Sequence, residues 1–419
     1  MCDNNSDLRN FVLENDCNFA VDNVDFKTKE TILEKCRKIL EDHTVCELYT
    51  CLCCLRILTR DDILRKELTS ELFLSRIFKY AFEYHSNPEY SKITLEALKS
   101  LSNIVFKESC VINQLKSMGF IKTALESVNI LITNGDKEKL LLCLKLLFLV
   151  TALDSASRQD LIKFNALQML LKVVKLKISK TIDSDVAAEA LKVVYNILYS
   201  TRDEDVTTEL GDDIRNLVVM LRCILQDPML DQSNNYALAS QVINVLNIIP
   251  KHLYKYLLDE ASGDHVVDKL SKGSASVDET DKMSSIEFLI TFLHSQLKLD
   301  ASKESETASD LRTDERICPI LNCLTRASKS NRQIRKFCRL KVLPYLGKDV
   351  TRLPEDGDSI RNYLCKLLTN PVQIVGESAA IIYLCTLQGK HWTSSEIHRF
   401  WQFCWISRTS CFTWETIKS

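Results

Sequence analysis

Apolar residues recur every three or four positions along most of this chain from residue 31 onward, which is the spacing of amphipathic helices. Within that pattern a six-residue phrase repeats, with Leu or Val first, Lys or Arg second in most copies, and Asn or Arg last in most copies. Five copies occupy residues 55–60, 98–103, 144–149, 191–196 and 242–247, and their last positions are 43, 46, 47 and 51 residues apart. A helical repeat with a period in the forties is typical of armadillo and HEAT proteins. The sequence therefore predicts an all-α fold, an armadillo/HEAT-type right-handed superhelical solenoid of stacked helix repeats.

Turn-forming residues divide the helical pattern into repeats of about one helix pair. These breaks fall at residues 84–88, 133–136, 180–185 and 226–228. A longer departure is poor in large apolar side chains and is predicted as a flexible loop insert. The predicted organisation has N-terminal repeats at residues 1–258, the insert at 259–283, C-terminal repeats of the same solenoid at 284–390, and a divergent tail at 391–419. The tail holds all four tryptophans, and its composition leaves order and disorder both open.

Composition and charge narrow the function classes. Nine Gly and seven Pro in 419 residues are too few for the tight turns of a doubly wound α/β fold. The net charge of −2 excludes nucleic-acid binding driven by overall charge, so charge-based recognition requires a local patch. The N-terminus is polar and acidic rather than a secretory signal, and no stretch is long and apolar enough to span a membrane. We therefore expect a cytoplasmic protein with reduced thiols and no membrane insertion.

The chain contains 17 cysteines, and Cys51, Cys53 and Cys54 form the densest group. Two interpretations are open: small apolar side chains in a core, or a metal or redox site. No second Cys or His pair lies at ligand spacing, and the group falls in an apolar helical pattern, which favours burial. No metal and no cofactor are predicted. The sequence also lacks a phosphate-binding Gly-rich loop, a zinc-protease His motif and a serine nucleophile elbow, so we expect no enzymatic activity.

The repeated phrase places polar residues on the helix face opposite the core. In the second copy, Lys99 and Asn103 are four residues apart and stack on that face. Stacked repeats then align such positions into rows: a cationic row of Arg56, Lys99, Lys145 and Lys192, and an amide-rich row of Arg60, Asn103, Asn196 and Asn247, with Arg326 further on. Amides bond peptide backbones and cations attract carboxylates, so the rows predict a groove for a segment with acidic residues or a free C-terminus. The alternative is solvated lysines, and asparagines that cap or bridge neighbouring repeats.

Several phrases resemble those of the synembryn family, also called resistance to inhibitors of cholinesterase, over residues 31–387. They lie at residues 55–61, 96–103, 146–153, 191–196, 335–337, 342–344 and 361–362. The resemblance implies an armadillo-type cytosolic protein that acts on heterotrimeric G-protein α subunits (Gα), as a chaperone for nascent Gα and as a non-catalytic exchange factor that releases GDP. It also implies a monomer that reaches the cell cortex or plasma-membrane periphery only through Gα, and that binds no nucleic acid.

The resemblance also implies which residues hold the partner. Family members bind the C-terminal helix of Gα in the groove, and Arg56, Arg60 and Asn103 match family positions that contact this helix. Leu142, Phe148 and Asn196 align with the same surface. With the row residues, the predicted partner-binding set is Arg56, Arg60, Lys99, Asn103, Leu142, Lys145, Phe148, Lys192 and Asn196.

Two alternatives and one departure from the family stay open. An importin-like cargo adaptor pairs Asn with Trp in its repeats, but no Trp precedes Trp392 here, and basic groove residues would repel a basic cargo. An armadillo scaffold that binds another acidic or helical peptide without exchange activity is the second alternative. After residue 385 the family continues into a motif rich in Gly, Asn and Ala and then an acidic tail, whereas residues 391–419 differ from both. We therefore expect weaker exchange and chaperoning than in the family. The sequence leaves open which class of Gα is preferred.

Overall fold

The computed structural model describes residues 6–18, 20–42, 45–84, 87–181, 183–201, 208–231, 236–258, 281–301, 310–342 and 355–388. Within these ranges the chain is helical and contains no β-strand, which confirms the all-α prediction. The α-helices are α1 (Ser6–Asn15), α2 (Phe26–Asp42), α3 (Val45–Leu58), α4 (Arg65–Leu68), α5 (Glu71–Phe82), α6 (Ser91–Lys107), α7 (Val111–Ser117), α8 (Phe120–Asn134), α9 (Lys137–Leu153), α10 (Ser155–Lys163), α11 (Ala166–Ile178), α12 (Ser184–Tyr199), α13 (Thr208–Leu225), α14 (Tyr236–Leu246), α15 (Ser284–Ala301), α16 (Asp310–Ser330), α17 (Arg332–Val342), α18 (Ile360–Leu367) and α19 (Gln373–Gln388). Short 3₁₀ helices lie at Pro88–Tyr90, Pro228–Asp231, Lys251–Leu257 and Asp281–Met283.

The chain folds as two compact units, Met1–Arg202 and Asp203–Ser419. This boundary lies inside the stretch that the sequence analysis treated as one block of N-terminal repeats. The predicted insert at 259–283 falls outside the described residues except for its last three, and the predicted tail at 391–419 falls outside them entirely.

The first unit is built from three-helix repeats. After α1 and the pair α2 and α3, three triplets follow: α4 to α6, α7 to α9, and α10 to α12. The first helix of each triplet is short, and the third is the longest. The sequence pattern predicts helix pairs instead, because a helix of four to nine residues is too short to show a hydrophobic period of its own. Three helices per repeat is the armadillo form of the solenoid.

The third helices of successive repeats pack side by side. Helix α3 packs on α6, α6 on α9, and α9 on α12, and we call this stack the ladder. A second layer forms beside it, in which α5 contacts α8 and α8 contacts α11. Each ladder helix also packs against the second helix of its own repeat, so the core lies between the layers. This arrangement confirms the predicted stacking within the first unit.

Local signals fix where the helices end. Gly135 adopts the left-handed conformation, with a φ of 69°, directly after α8, a position that favours glycine. The Asp136 side chain then accepts a hydrogen bond from the backbone N–H of Lys139 and caps α9. Asp154 caps α10 in the same way through the N–H of Ser157. The predicted break at residues 133–136 is confirmed, as are the breaks near 84–88, 180–185 and 226–228.

In the second unit, α16 is the central helix. It packs against α14, α15, α17 and α19. Pro319 lies inside α16, where it has no N–H to donate, and its carbonyl accepts a hydrogen bond from Asn247 at 2.9 Å. The Arg326 guanidinium donates to the carbonyl of Ile249 at 2.7 Å, so these two polar residues of the predicted amide row hold backbone carbonyls inside this unit.

A buried ion pair links α2 to the turn after α3. The Lys29 ammonium lies 2.6 Å from Asp61 Oδ2, and both residues are at most 5% exposed. Asp61 Oδ1 also accepts from the backbone N–H groups of Ile63 and Leu64, which stabilises the start of α4. Burial alone would raise the pKa of Asp61, but the hydrogen bonds from Lys29 and from the backbone outweigh it and hold this pKa below its usual range.

We predict that Lys29→Met destabilises the first unit by about 3 kcal/mol, because removing one partner of a buried pair leaves the other charge uncompensated. The measurement is urea unfolding followed by circular dichroism. Lys38→Met is the matched control, since Lys38 lies on the same helix and is exposed, and it should change the free energy of unfolding by less than about 0.5 kcal/mol. Equal effects of the two substitutions would contradict the prediction.

Candidate functional site

The predicted partner-binding residues of the cationic row lie on the four ladder helices, one on each. Arg56 is on α3, Lys99 on α6, Lys145 on α9 and Lys192 on α12. Three contacts show that neighbouring members share a side of the ladder. Arg56 and Lys99 both bond the Glu96 carboxylate, and Lys99 Nζ lies 3.8 Å from Glu138 on α9. Glu138 is two helical turns before Lys145 and so on the same face of α9.

The fourth cation joins this face through an aromatic side chain. Lys192 Nζ lies 5.5 Å from the centroid of the Phe148 ring, so α12 meets α9 on the same side. We call the side of the ladder that carries these four cations, with Leu142 and Phe148, the ladder face.

Arg56 is already paired on the ladder face. Its Nε donates to Glu96 Oε2 at 2.5 Å, and its Nη2 donates to Asp16 Oδ1. Burial alone would lower the pKa of Arg56, but the hydrogen bonds to Asp16 and Glu96 outweigh it and raise this pKa, so the side chain stays charged. The same hydrogen bond from Arg56 holds the pKa of Asp16 below its usual range. The repeated phrase predicts a cation open to a partner, whereas the structure shows Arg56 between two carboxylates of its own chain.

Arg60 follows α3 and is likewise engaged. Its guanidinium donates to the backbone carbonyls of Asn15 and Asp16, each at 3.3 Å, and to that of Asn18. These carbonyls belong to the last turn of α1 and the residues after it. Arg60 therefore holds the C-terminal end of α1 against the ladder.

The lysines of the ladder follow a simple rule. Lys99 and Lys192 each pair with a Glu three residues earlier, at 3.0 Å for Glu96 and 2.6 Å for Glu189. At the same place relative to Lys145 the chain has Leu142. Lys145 is exposed and has no ion pair among the described residues, which makes it the open cation of the ladder face.

The middle of the ladder face is apolar. Leu142 and Phe148 are half-buried on α9, and Leu149 takes the position that Asn occupies in the neighbouring helices α6 and α12. The nearby Glu189 Oε2 is buried and lacks a hydrogen-bond partner among the described residues. The face therefore offers an apolar patch on α9 with one open cation, Lys145, beside it.

The asparagines of the predicted amide row bridge neighbouring helices. Asn103 Nδ2 donates to Thr59 Oγ1 at 3.0 Å, which ties α6 to the end of α3. Asn196 Nδ2 donates to Thr151 Oγ1 at 2.9 Å and to the carbonyl of Phe148 at 3.3 Å, which ties α12 to α9. These hydrogen bonds match the alternative interpretation, in which asparagines bridge neighbouring repeats. The side-chain amides of Asn103 and Asn196 are therefore engaged, whereas the repeated phrase predicts a row of free amides.

A cleft opens between α1 and the ladder beside Arg56. It has a volume of about 660 Å³, and Arg9 and Leu13 of α1 face Tyr49, Arg56 and Lys99 across it. Leu13 is 81% exposed and Tyr49 is 44% exposed, so both apolar surfaces meet solvent there. The cleft combines three cations and apolar walls with the two carboxylates that pair with Arg56 and Lys99, those of Asp16 and Glu96. An acidic peptide that replaces one of these carboxylates would suit such a cleft.

Sequence reasoning missed Asp16, Tyr49, Glu96 and Glu189. The glutamates carried a usable signal, because Glu three residues before Lys on a helix predicts an ion pair. Asp16 carried none, since it lies 40 residues from Arg56 along the chain.

The cysteine group has a structural role. Cys51, Cys53 and Cys54 are at most 3% exposed, which confirms their predicted burial. Burial raises the pKa of the Cys53 thiol to about 11. Within the described residues no group of His, Cys, Asp or Glu side chains is arranged to hold a metal ion. None of the helices searched in those ranges is long and apolar enough to cross a membrane.

Comparison with known proteins identifies the family. The chain is 28% identical over 412 residues to the chaperone Ric-8B of Rattus norvegicus, covering 87% of this chain and 76% of that relative. It is 26% identical over 393 residues to the chaperone Ric-8 of Drosophila pseudoobscura pseudoobscura, covering 83% and 67%. It is 29% identical over 367 residues to the chaperone Ric-8A of Xenopus laevis, covering 80% of this chain and 64% of that relative.

The family model described as guanine nucleotide exchange factor synembryn matches residues 51–385, which include all four ladder helices from Cys51 of α3 onward. The resemblance stated from the sequence phrases is thereby confirmed. Because this match covers most of the chain, the chain belongs to the guanine nucleotide exchange factor synembryn (Ric8) family.

Proposed function

We propose that this chain binds Gα subunits through the ladder face, engages their C-terminal helix, promotes GDP release and assists Gα folding. Family membership supports the activity class, since the matched relatives are named chaperones and the family is described as an exchange factor. The observation that carries the binding mode is the apolar patch of Leu142 and Phe148 on α9, which lies between the charged cluster of α3 and α6 and the charged pair of α12.

The face suits an amphipathic helix better than an extended basic peptide. Helices pack at interaxial distances of about 8–10 Å, so an apolar stripe on a bound helix can fill the patch on α9 while its ends reach the helices on either side. An acidic side chain or terminal carboxylate of the partner bonds Lys145, which is exposed and has no ion pair among the described residues. Of the other predicted residues, Arg56 and Lys99 hold the acidic end of the partner at the cleft.

Nucleotide exchange by this route requires no covalent bond to be made or broken in the partner. In Gα the C-terminal helix packs beneath the nucleotide site, and a chain that binds this helix away from its closed position favours the open, nucleotide-free state. Moving such an equilibrium from 1:99 to 99:1 takes about 5.5 kcal/mol of differential affinity. A few buried apolar anchors together with charge-assisted hydrogen bonds supply energies of that size. The protein therefore acts as a non-catalytic binding partner.

The preferred partner is GDP-bound or nucleotide-free Gα, since GTP with Mg²⁺ re-forms the closed state and competes the chain away. We propose a monomer that works in the cytoplasm and reaches the cell cortex through Gα. We propose no metal or cofactor bound by this chain itself; the Mg²⁺ belongs to the nucleotide site of Gα.

The test is GDP release from purified Gα in the presence of the full chain. We expect faster release of labelled GDP and a stable complex in the absence of nucleotide. Gα lacking its C-terminal helix is the control and should show neither effect. A complex without faster release would leave only a scaffold that binds Gα, and no complex at all would refute the proposal.

We predict that Lys145→Glu weakens binding of a Gα C-terminal peptide by about five-fold or more, since it replaces the open cation with a repelling charge. The measurement is isothermal titration calorimetry. The substitution should leave the fold intact, because Lys145 is exposed and has no ion pair to lose among the described residues. Lys172→Glu is the matched control, an exposed lysine of α11 outside the ladder, and should bind as the wild type does.

Phe148→Ala should weaken the same peptide by about ten-fold, because the ring supplies apolar area at the centre of the patch. The ring also contacts Lys192, whereas the hydrogen bond from the Asn196 side-chain amide to the backbone carbonyl of Phe148 survives the substitution. Phe164→Ala removes an exposed ring at the end of α10, outside the ladder, and serves as the control. If both substitutions weaken binding equally, the patch on α9 is not the centre of the site.

A further inference from the structure

The first end of the N-terminal helix is anchored mainly by apolar burial. Leu8 and Phe11 of α1 are at most 4% exposed, and the carbonyl of Leu8 accepts from the Cys54 thiol on α3. Asp7 adds an ion pair to Lys35 of α2 at 2.5 Å. These contacts fix the first two turns of α1 without any part of the ladder face.

The other end of α1 is held by charge and hydrogen bonds at the ladder face. Asp16 Oδ1 accepts from Arg56, and the carbonyls of Asn15, Asp16 and Asn18 accept from Arg60. A carboxylate beside the unpaired carbonyls of a helix C-terminus is also what the acidic end of a helical peptide presents. The chain thus places its own acidic segment on the two arginines that the sequence analysis assigned to a partner.

We propose that the segment at residues 15–18 is an intramolecular competitor, which occupies Arg56 and Arg60 and is displaced when an acidic, helical partner segment binds the ladder face. The proposal rests on the proposed function, because the partner segment is the C-terminal helix of Gα. It assigns α1 a regulatory role: a clasp whose apolar end stays fixed while its polar end opens.

The two carboxylates on Arg56 differ in the way that such exchange requires. Glu96 is 6% exposed in its side chain, lies on the ladder and also bonds Lys99, so it is a fixed positioning residue for both cations. The Asp16 side chain is 50% exposed and belongs to the end of a short N-terminal helix. The Arg56 side chain is 13% exposed and needs a carboxylate partner in either state, so an incoming carboxylate that replaces Asp16 exchanges one ion pair for another at small net cost. Glu96 keeps Arg56 aimed at the same place throughout the exchange.

The cleft beside Arg56 gives the incoming segment its route. Leu13 and Arg9 of α1 form one wall, and Tyr49 of α3 forms the other. A partner side chain can enter this space before Asp16 leaves, and opening of the last turn of α1 widens it. The apolar anchors Leu8 and Phe11 lie at the other end of the helix and are not disturbed.

The experiment measures the affinity of the full chain for a Gα C-terminal peptide with a free carboxylate, in the wild type and in Asp16→Asn. Because Asp16 competes with the peptide, Asp16→Asn should bind about two- to five-fold more tightly. The gain should shrink for the same peptide with an amidated C-terminus. Asp7→Asn is the matched control, since it removes another acidic residue of α1 and its ion pair to Lys35 without touching the ladder face. It should bind as the wild type does.

A second measurement separates displacement from a merely structural role. Hydrogen exchange of the backbone amides of residues 15–18 should become faster when the peptide binds to the wild type, since the clasp opens. Equal or weaker binding by Asp16→Asn, or slower exchange of these amides on binding, would overturn the clasp while leaving the proposed function standing. If neither the wild type nor Asp16→Asn binds the peptide, the proposed function fails, and the clasp fails with it.

Discussion

Side-by-side packing of α3, α6, α9 and α12 is the constraint on which the rest of the first unit depends. The first residue of the repeated phrase is a Leu in each of these helices, and all four leucines are fully buried. Once that position points into the core, helical geometry turns the second position toward the ladder face. The row of cations is therefore a consequence of how the apolar positions are buried. This is why a sequence period of 43 to 47 residues became a line of side chains in space.

The nearby core also decides whether these cations are paired with carboxylates. A charge next to a core must be paired or it costs free energy, and the ladder supplies a carboxylate to Arg56, Lys99 and Lys192. Helix α9 departs from this rule, because Leu142 stands where its neighbours have Glu. The same change makes the middle of the face apolar and leaves Lys145 open. One substitution in the repeat pattern thus produces both features that a helical partner needs.

The sequence predicted the features that depend on periodicity and local chain chemistry. The all-α fold, the helix breaks and the burial of the cysteine group follow from apolar spacing and turn residues, which act over a few positions. The positions of Arg56, Lys99, Lys145 and Lys192 on one ladder followed from the repeat period. These parts of the site needed no knowledge of long-range contacts.

The parts that the sequence did not predict depend on contacts between distant segments or on short elements. Nothing near Asp16 shows that it reaches Arg56, and the hydrogen bonds of Arg60 go to backbone carbonyls, which every residue has. The repeated phrase predicts a free Asn103, but its side-chain amide donates to Thr59 at the end of the previous ladder helix. This contact depends on the offset between stacked helices, which the sequence does not show. The short first helices of the repeats were missed because four to nine residues carry too little pattern.

Because Arg56, Lys99 and Lys192 are already paired within the ladder, charged groups of a partner add little net binding free energy at these residues. A partner carboxylate that binds Arg56 replaces Asp16, so one ion pair forms as another breaks, and the net electrostatic gain is small. Affinity then has to come mainly from the apolar patch of Leu142 and Phe148, where burial is not offset by a lost contact. The charges retain a different role: only a segment whose acidic end and apolar stripe are correctly spaced can satisfy Arg56, Lys145 and the patch together. Specificity thus comes from the spacing of charged and apolar groups on the partner helix, and affinity comes from apolar burial. This division suits a protein that holds one helix of its partner and releases it when a nucleotide returns the partner to its closed state.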